Sequence, residues 1–157
     1  MKDAVAVVDA LTVRGQTVAT AESLTGGLLC AALVDVPGAS VVVRGAVVAY
    51  ATDTKTTVLG VPADVVATDG TVAAQTALHM ARRARELFDA DWGVATTGVA
   101  GPDPAEGHPP GRAYVALAGP DQAAHRLLQL AGDRAAVRSG TVRAALVLLT
   151  EQLGASG

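Results

Sequence analysis

Two spacings of apolar residues follow one another along the chain, and together they predict alternating helices and strands. Apolar positions recur every three or four residues over 3–14 and stop at Gly15, which predicts an amphipathic first helix. Residues 16–21 form a short β-type run, after which a glycine turn leads into the continuous apolar stretch 28–34. The first part of the chain therefore predicts helix, strand, glycine turn and helix.

The remaining residues continue this alternation of helices and strands. In order, the pattern predicts a strand over 46–51, a short helix opening at 52–55, a helix over about 72–88, a strand over 92–97, paired strands at 112–118 and 123–130, and a final helix that Asp133 caps and that ends near Leu153. This order predicts both a helical crossover between strands and a hairpin formed by the strands at 112–118 and 123–130. The sequence thus predicts an α/β fold, a three-layer α/β/α sandwich with a mixed sheet.

Length, charge and cysteine content exclude several classes of protein. A chain of 157 residues favours one domain spanning 1–157. A net charge of −3 offers no broad basic surface for nucleic acid, and the longest apolar run, 28–34, is far short of the roughly 20 residues that span a bilayer. No secretory signal is visible and Cys30 is the single cysteine, so we expect a cytoplasmic protein. The 50% hydrophobic content favours a homo-oligomer.

The turn between the first strand and the second helix is one candidate for chemistry. P-loop and Rossmann glycine patterns are absent, but SLTGG at 23–27 opens a helix whose unpaired N–H groups favour a phosphate or carboxylate. The same residues also fit a structural role, in which Ser23 or Thr25 caps the helix and the glycines permit close packing. The sequence leaves both interpretations open.

Lys55 is the candidate general base. Only two of the twelve basic residues are lysines, Lys2 and Lys55. If Thr52 caps the short helix, Lys55 lies in its first turn, where the helix dipole lowers the pKa of the amine and favours its neutral form. Tyr50 is placed to relay a proton or to orient that amine. The alternatives are a solvated surface lysine and a tyrosine packed at the sheet edge.

The histidines give no sign of a metal site. His79, His108 and His125 fall in different predicted elements, and neither H-x-x-x-H nor C-x-x-C spacing occurs. We therefore expect no metal and no cofactor.

Four blocks carry a family resemblance. They are AESLTGG at 21–27, VPGAS at 36–40, RGAVVAY at 44–50 and TGVAGP at 97–102. In this order, over about residues 3–150, the chain resembles the CinA C-terminal domain family. The resemblance implies a hydrolase acting on a linear amide, since members include nicotinamide-nucleotide amidohydrolases, which deamidate nicotinamide mononucleotide to nicotinate mononucleotide and ammonia.

The resemblance also implies roles for particular residues. It makes Ser40 the nucleophile, with Tyr50 and Lys55 activating it, and it points to a homo-oligomer. For the substrate phosphate it implies an arginine of the last helix, and we favour Arg138 over Arg134. The residues implied to bind substrate are Ser23, Thr25, Gly26, Gly27, Arg44, Thr97, Gly98 and Arg138.

This assignment carries a geometric condition. A continuous strand from Ser40 to Tyr50 would separate the two by about 33 Å, at roughly 3.3 Å per residue. The site therefore requires a helical turn over 39–44 and a chain reversal at Arg44 and Gly45, although the β-branched Val41, Val42 and Val43 favour a strand.

Departures from the family pattern leave alternatives open. Thr52 replaces the usual asparagine, Ala73 a serine and Leu24 a cysteine, and the loop 103–110 is altered. The rival functions are a non-catalytic nucleotide-binding or interaction module and an amidase for another small amide.

Overall fold

The fold is taken from a computed structural model that describes residues 2–155. In chain order the elements are α1 (Lys2–Arg14), β1 (Val18–Glu22), α2 (Leu28–Val34), a 3₁₀ turn (Ala39–Val41), β2 (Val43–Val48), α3 (Thr52–Thr57), α4 (Ala63–Asp69), α5 (Ala74–Leu87), β3 (Trp92–Gly98), β4 (Arg112–Ala118), β5 (Ala123–Gln129) and α6 (Arg134–Ala155). Among these helices none is long and apolar enough to cross a bilayer.

One sheet organises the molecule. Its strand order is β2-β1-β3-β4-β5, in which β1 pairs in parallel with β2 and β3, while β3, β4 and β5 pair antiparallel. This confirms the predicted mixed sheet, the crossover and the hairpin. Because β1, β2 and β3 run in the same direction, the residues that follow them meet at one end of the sheet.

The two faces of the sheet carry side chains of different size. Because side chains alternate along a strand, one face presents residues such as Val94, Val115 and Leu117, which pack against α1, α2 and α6. The other face presents alanines such as Ala95 and Ala116, which pack against the alanine-rich face of α5. Helices on both faces confirm the three-layer sandwich.

Small side chains let α5 lie very close to the sheet. A Cβ added to Gly93 in β3 would come 1.9 Å from the carbonyl oxygen of Ala81 in α5, so no side chain fits there. This close approach requires small side chains between α5 and the sheet, which agrees with the alanines found there and with an aromatic content of only 3% in the whole chain.

The structure corrects two boundaries of the sequence prediction and adds one helix. β2 spans Val43–Val48 instead of 46–51, and α5 begins at Ala74 rather than near 72. The helix α4 lies in a stretch for which the sequence predicted no element. Asp133 caps α6 as predicted, since its Oδ1 accepts the N–H of Ala136 at 2.8 Å.

Candidate active site

A cavity of about 250 Å³ opens where β1, β2 and β3 end. Three segments that follow these strands reach it: Ser23 after β1, Tyr50 after β2, and the loop that begins at Gly98 after β3. The rest of the wall is formed by Thr52 and Lys55 of α3, Thr71 and Val72 before α5, and Arg134 of α6. The parallel arrangement therefore brings together residues that are far apart in the sequence.

The amine of Lys55 is buried in this wall and contacts Ser23. Its Nζ lies 3.1 Å from Ser23 Oγ, 3.0 Å from the carbonyl oxygen of Ala49 and 3.4 Å from that of Tyr50. The Lys55 side chain is 2% exposed and Ser23 is 7% exposed. Lys55 is therefore not a solvated surface lysine, and its nearest hydroxyl belongs to Ser23.

Burial lowers the pKa of Lys55 from its ordinary value, because the buried amine loses the hydration of its charged form. The carboxylate of Glu106 acts in the opposite direction, but burial has the larger effect. The sequence predicted that the dipole of a helix capped by Thr52 lowers the pKa of Lys55, and the structure corrects this cause to burial. Ala51 occupies the N-cap position of the six-residue α3, and Thr52 makes no capping hydrogen bond but lines the cavity.

The turn after β1 holds its own anion. The Glu22 carboxylate is fully buried and accepts the N–H groups of Gly27, Leu29 and Cys30 at 3.0, 3.0 and 2.8 Å. It also accepts the hydroxyl of Thr25 at 2.6 Å. Of the two interpretations that the sequence leaves open, the structure excludes a ligand anion at this helix N-terminus, because the Glu22 carboxylate already occupies it. The turn has the structural role instead, although Gly27 is the N-cap residue rather than Ser23 or Thr25.

The arginines of α6 exchange their expected places. Arg138 donates from Nε to the carbonyl oxygen of Leu24 at 3.0 Å and from Nη2 to that of Thr25 at 2.8 Å. Arg134 lines the cavity, donating to the carbonyl oxygen of Gly101 at 2.7 Å and to the Tyr50 hydroxyl. The guanidinium at the cavity is thus that of Arg134, and the preference for Arg138 is corrected.

Ser40 lies at the other end of the sheet. It belongs to the 3₁₀ turn that precedes β2, whereas Tyr50 and Lys55 follow that strand. The five steps from Val43 to Val48 of β2, at roughly 3.3 Å each, separate the two ends by about 17 Å. A helical turn is present, but it covers only Ala39–Val41 of the required 39–44. Arg44 and Gly45 belong to β2 and do not reverse the chain, so within this chain Ser40 does not meet Lys55.

Arg44 shares this distant location. Its Nε donates to the carbonyl oxygen of Phe88 at 2.9 Å, and with Ser40 it lines a separate surface hollow. The expectation that Arg44 binds substrate beside Lys55 is therefore corrected as well.

The remaining predicted residues divide between the cavity and its support. Gly98 lines the cavity, but the hydroxyl of the buried Thr97 donates to the carbonyl oxygen of Thr71 at 2.6 Å and fixes that neighbouring segment. Thr25, Gly26 and Gly27 lie in the turn behind Ser23 rather than among the cavity-lining residues.

Several cavity-lining residues were not predicted individually, among them Thr71 and Glu106. Glu106 accepts the N–H of Thr71 at 2.8 Å and the Thr71 hydroxyl at 2.5 Å, which ties the loop 103–110 to the segment before α5. Partial burial raises the pKa of Glu106, but these two hydrogen bonds, a third from the N–H of Val72 and the charge of Lys55 together lower it below its ordinary value. The sequence offers no signal for the contact between Glu106 and Thr71, because a single glutamate in a loop belongs to no recognisable motif.

The titratable side chains form no metal centre in the part of the chain that the structure describes. No group of three or more histidine, cysteine or carboxylate side chains within 2–155 could hold a metal ion.

Comparison with known proteins identifies relatives of the whole fold. The family model described as the CinA C-terminal domain matches residues 2–153. A CinA-like protein of Frankia casuarinae is 46% identical over 147 residues, which are 94% of this chain and 34% of that protein. The chain thus spans about a third of the length of the curated relatives it matches.

Solved structures agree over nearly the full chain. A competence-damaged protein (CinA) superfamily protein from Klebsiella pneumoniae superposes with a TM-score of 0.94 at 32% identity, covering 98% of this chain and 96% of that one. The competence/damage inducible protein CihA from Agrobacterium tumefaciens gives 0.92 at 36% identity, covering 98% and 94%.

Proposed function

Because the chain belongs to the CinA C-terminal domain family, we propose that it is a nicotinamide-nucleotide amidohydrolase that deamidates nicotinamide mononucleotide to nicotinate mononucleotide and ammonia. The observation that carries the proposal is the environment of Lys55, whose amine lies between two backbone carbonyl oxygens and the hydroxyl of Ser23. The expected substrate follows from the family resemblance, and the mechanism follows from these contacts.

The partners of Lys55 favour a neutral amine that acts as a base. Carbonyl oxygens only accept hydrogen bonds, so the two N–H groups of a neutral amine are directed to Ala49 and Tyr50. The lone pair then remains for the hydroxyl of Ser23, which donates its proton to Nζ. Burial supports this state because it disfavours the charged amine.

Ser23 is therefore the proposed nucleophile, in place of Ser40. Its Oγ attacks the carboxamide carbon while Lys55 takes the hydroxyl proton. The backbone N–H of Leu24, which follows Ser23 and lines the cavity, is the proposed donor to the oxyanion. Lys55 then returns the proton to the leaving NH₂ group as the C–N bond breaks, which releases ammonia and leaves an ester on Ser23.

Hydrolysis of this ester repeats the proton transfer with water. Lys55 takes a proton from the attacking water, and the same proton goes back to Ser23 Oγ as the C–O bond of the ester breaks. The acid leaves and the starting state returns. No group outside the cavity is needed to balance these steps.

Arg134 is the proposed ligand of the substrate phosphate. It is exposed at the cavity and held by Gly101 and Tyr50, so its position is fixed before a ligand arrives. A guanidinium offers several N–H donors in a planar array that suits phosphate oxygens. Tyr50 thus orients Arg134 through its hydroxyl and Lys55 through its carbonyl.

The test compares the two serines. Ammonia release from nicotinamide mononucleotide is measured for the parent protein, Ser23→Ala and Ser40→Ala. We expect release by the parent, a loss of about 10³-fold or more in Ser23→Ala, and a rate within about twofold of the parent in Ser40→Ala.

Other outcomes have clear meanings. If Ser40→Ala loses ammonia release and Ser23→Ala retains it, Ser40 is the nucleophile and the proposed pair of Ser23 and Lys55 is refuted. No release by a parent protein that still binds the nucleotide would favour a binding module, and release from a different amide would change the substrate alone.

A further inference from the structure

The turn that carries Ser23 is held from one side by a cation. Arg138 of α6 reaches the carbonyl oxygens of Leu24 and Thr25 with two different nitrogens of its guanidinium. A Cβ added to Gly26 would come 3.3 Å from Nη2 of Arg138, so the absence of a side chain there permits this approach. The arginine thus binds the carbonyls of the turn rather than the cavity.

The same turn is held from the other side by an anion. The carboxylate of Glu22 accepts three N–H groups at the start of α2 and the hydroxyl of Thr25. It also lies 3.3 Å from the hydroxyl of Thr20. Each carboxylate oxygen therefore has at least two donors, so neither oxygen of this fully buried side chain lacks a hydrogen bond.

These contacts leave Ser23 with little freedom of backbone movement. Its N–H donates to the carbonyl oxygen of Thr96 in β3 at 2.9 Å, and its own carbonyl accepts the N–H of Gly26 at 3.0 Å. Neither Glu22 nor Arg138 lines the cavity, so neither is placed to contact a substrate there.

We propose that Glu22 and Arg138 are positioning residues that clamp the turn 23–27 and hold the Ser23 hydroxyl against the amine of Lys55. The inference rests on the proposed function in that Ser23 is taken as the nucleophile. A hydroxyl that must donate to one amine and attack one carbon loses rate when its backbone drifts by a fraction of an ångström. The clamp therefore acts on kcat.

The test compares arginines of one helix. Glu22 is fully buried and its substitution threatens folding, so Arg138 is changed to Met, which keeps the unbranched stem of the side chain and removes its donors. Arg134→Met, one helical turn away, removes the proposed phosphate ligand instead. Arg143→Met on the exposed side of α6 serves as the control.

The three variants are expected to separate kcat from KM. Arg138→Met lowers kcat for nicotinamide mononucleotide by roughly 10- to 100-fold with KM within about threefold of the parent. Arg134→Met raises KM with a much smaller change in kcat, and Arg143→Met changes neither. A raised KM with unchanged kcat in Arg138→Met would make Arg138 a substrate ligand and overturn the proposal.

Chemical rescue distinguishes positioning from loss of folded protein. Arg138→Ala leaves a space that free guanidinium can enter. We expect millimolar guanidinium to raise the kcat of this variant by about tenfold or more. In Arg138→Met the terminal methyl group occupies the position of Nε, which blocks part of the guanidinium site, so the same addition should restore much less of its rate. Equal responses of the two variants would contradict the clamp.

A second measurement needs no substrate. A small sulfonyl fluoride modifies an activated serine, and mass spectrometry locates the modified residue. We expect Ser23 to react about tenfold or more slowly in Arg138→Met than in the parent and in Arg143→Met. Equal rates, or no reaction of Ser23 in the parent, would overturn the proposal even if nicotinamide mononucleotide proves not to be the substrate.

Discussion

Replacing Lys55 with methionine tests the proposed base directly. Methionine has nearly the length of lysine and fills the same buried space, but it has neither the lone pair that takes the serine proton nor the N–H groups that bind the carbonyls of Ala49 and Tyr50. The variant therefore removes the chemistry while it retains most of the packing.

We expect Lys55→Met to lower the reaction rate strongly and to change the free energy of unfolding only slightly. Loss of a positioned general base costs roughly 10²- to 10⁴-fold in rate, or about 3–5 kcal/mol of transition-state stabilisation. Stability loses three hydrogen bonds worth about 1 kcal/mol each, but it no longer bears the cost of burying an amine that is 2% exposed. We expect the free energy of unfolding to change by less than about 2 kcal/mol.

The pH dependence gives the second half of this prediction. Only the neutral amine accepts the Ser23 proton, and the neutral fraction rises with pH through the pKa of Lys55, which burial lowers. In the parent, log kcat/KM should therefore rise with a slope of one and then level off, below the ordinary lysine pKa of 10.5. The rise should be absent from the residual rate of Lys55→Met.

The free energy of unfolding also depends on pH through the amine of Lys55. Between the lowered folded pKa and 10.5 the unfolded chain holds a proton on Lys55 that the folded protein lacks. Unfolding is therefore favoured as pH falls through that window, by up to about 1.4 kcal/mol per pH unit, and the effect disappears in Lys55→Met.

Initial rates of ammonia release from pH 6 to 10, with urea unfolding of both proteins at each pH, provide these values. A kcat/KM for Lys55→Met within tenfold of the parent would refute the assignment of the base. So would a flat parent profile from pH 6 to 9.

Three further substitutions test the electrostatics and packing around this centre. Glu106→Gln removes the carboxylate that raises the pKa of Lys55, so the rising limb of the pH–rate profile should move to lower pH; a move to higher pH would contradict the coupling. Gly93→Ala forces a Cβ to within 1.9 Å of a backbone carbonyl oxygen of α5 and should lower the free energy of unfolding by roughly 2–4 kcal/mol, whereas Gly154→Ala in open space at the end of α6 should leave it unchanged or slightly raised. Asp133→Ala removes the cap of α6 and should cost about 1 kcal/mol in thermal unfolding, while Asp133→Asn, which retains a capping oxygen, should cost much less.

The elements that depend on local patterns were predicted from the sequence. The three- and four-residue spacing of α1, the continuous apolar stretch of α2 and the cap at Asp133 are each contained in a few neighbouring residues, and the structure confirms all three. The family could also be recognised, because its blocks occur in order along the chain. Lys55 was singled out because it is one of only two lysines.

What the sequence left open depends on the direction of β2. A strand prediction does not state which end of a strand faces which neighbour, and the parallel pairing of β1 with β2 places Ser23 beside Lys55 and Ser40 at the far end. The sequence suggested a polar turn at residues 23–27, but the buried carboxylate of Glu22, which occupies the helix N-terminus, became visible only in three dimensions.

The two arginines of α6 illustrate the same division. One helical turn separates Arg134 from Arg138, and both suit a phosphate by chemistry alone. The packing of α6 against the sheet directs one guanidinium to the cavity and the other to the carbonyls behind Ser23. Residue type and local spacing thus determined the elements and the candidate groups, whereas the relative placement of distant strands and helices decided which groups meet, because that placement depends on contacts between residues far apart in the chain.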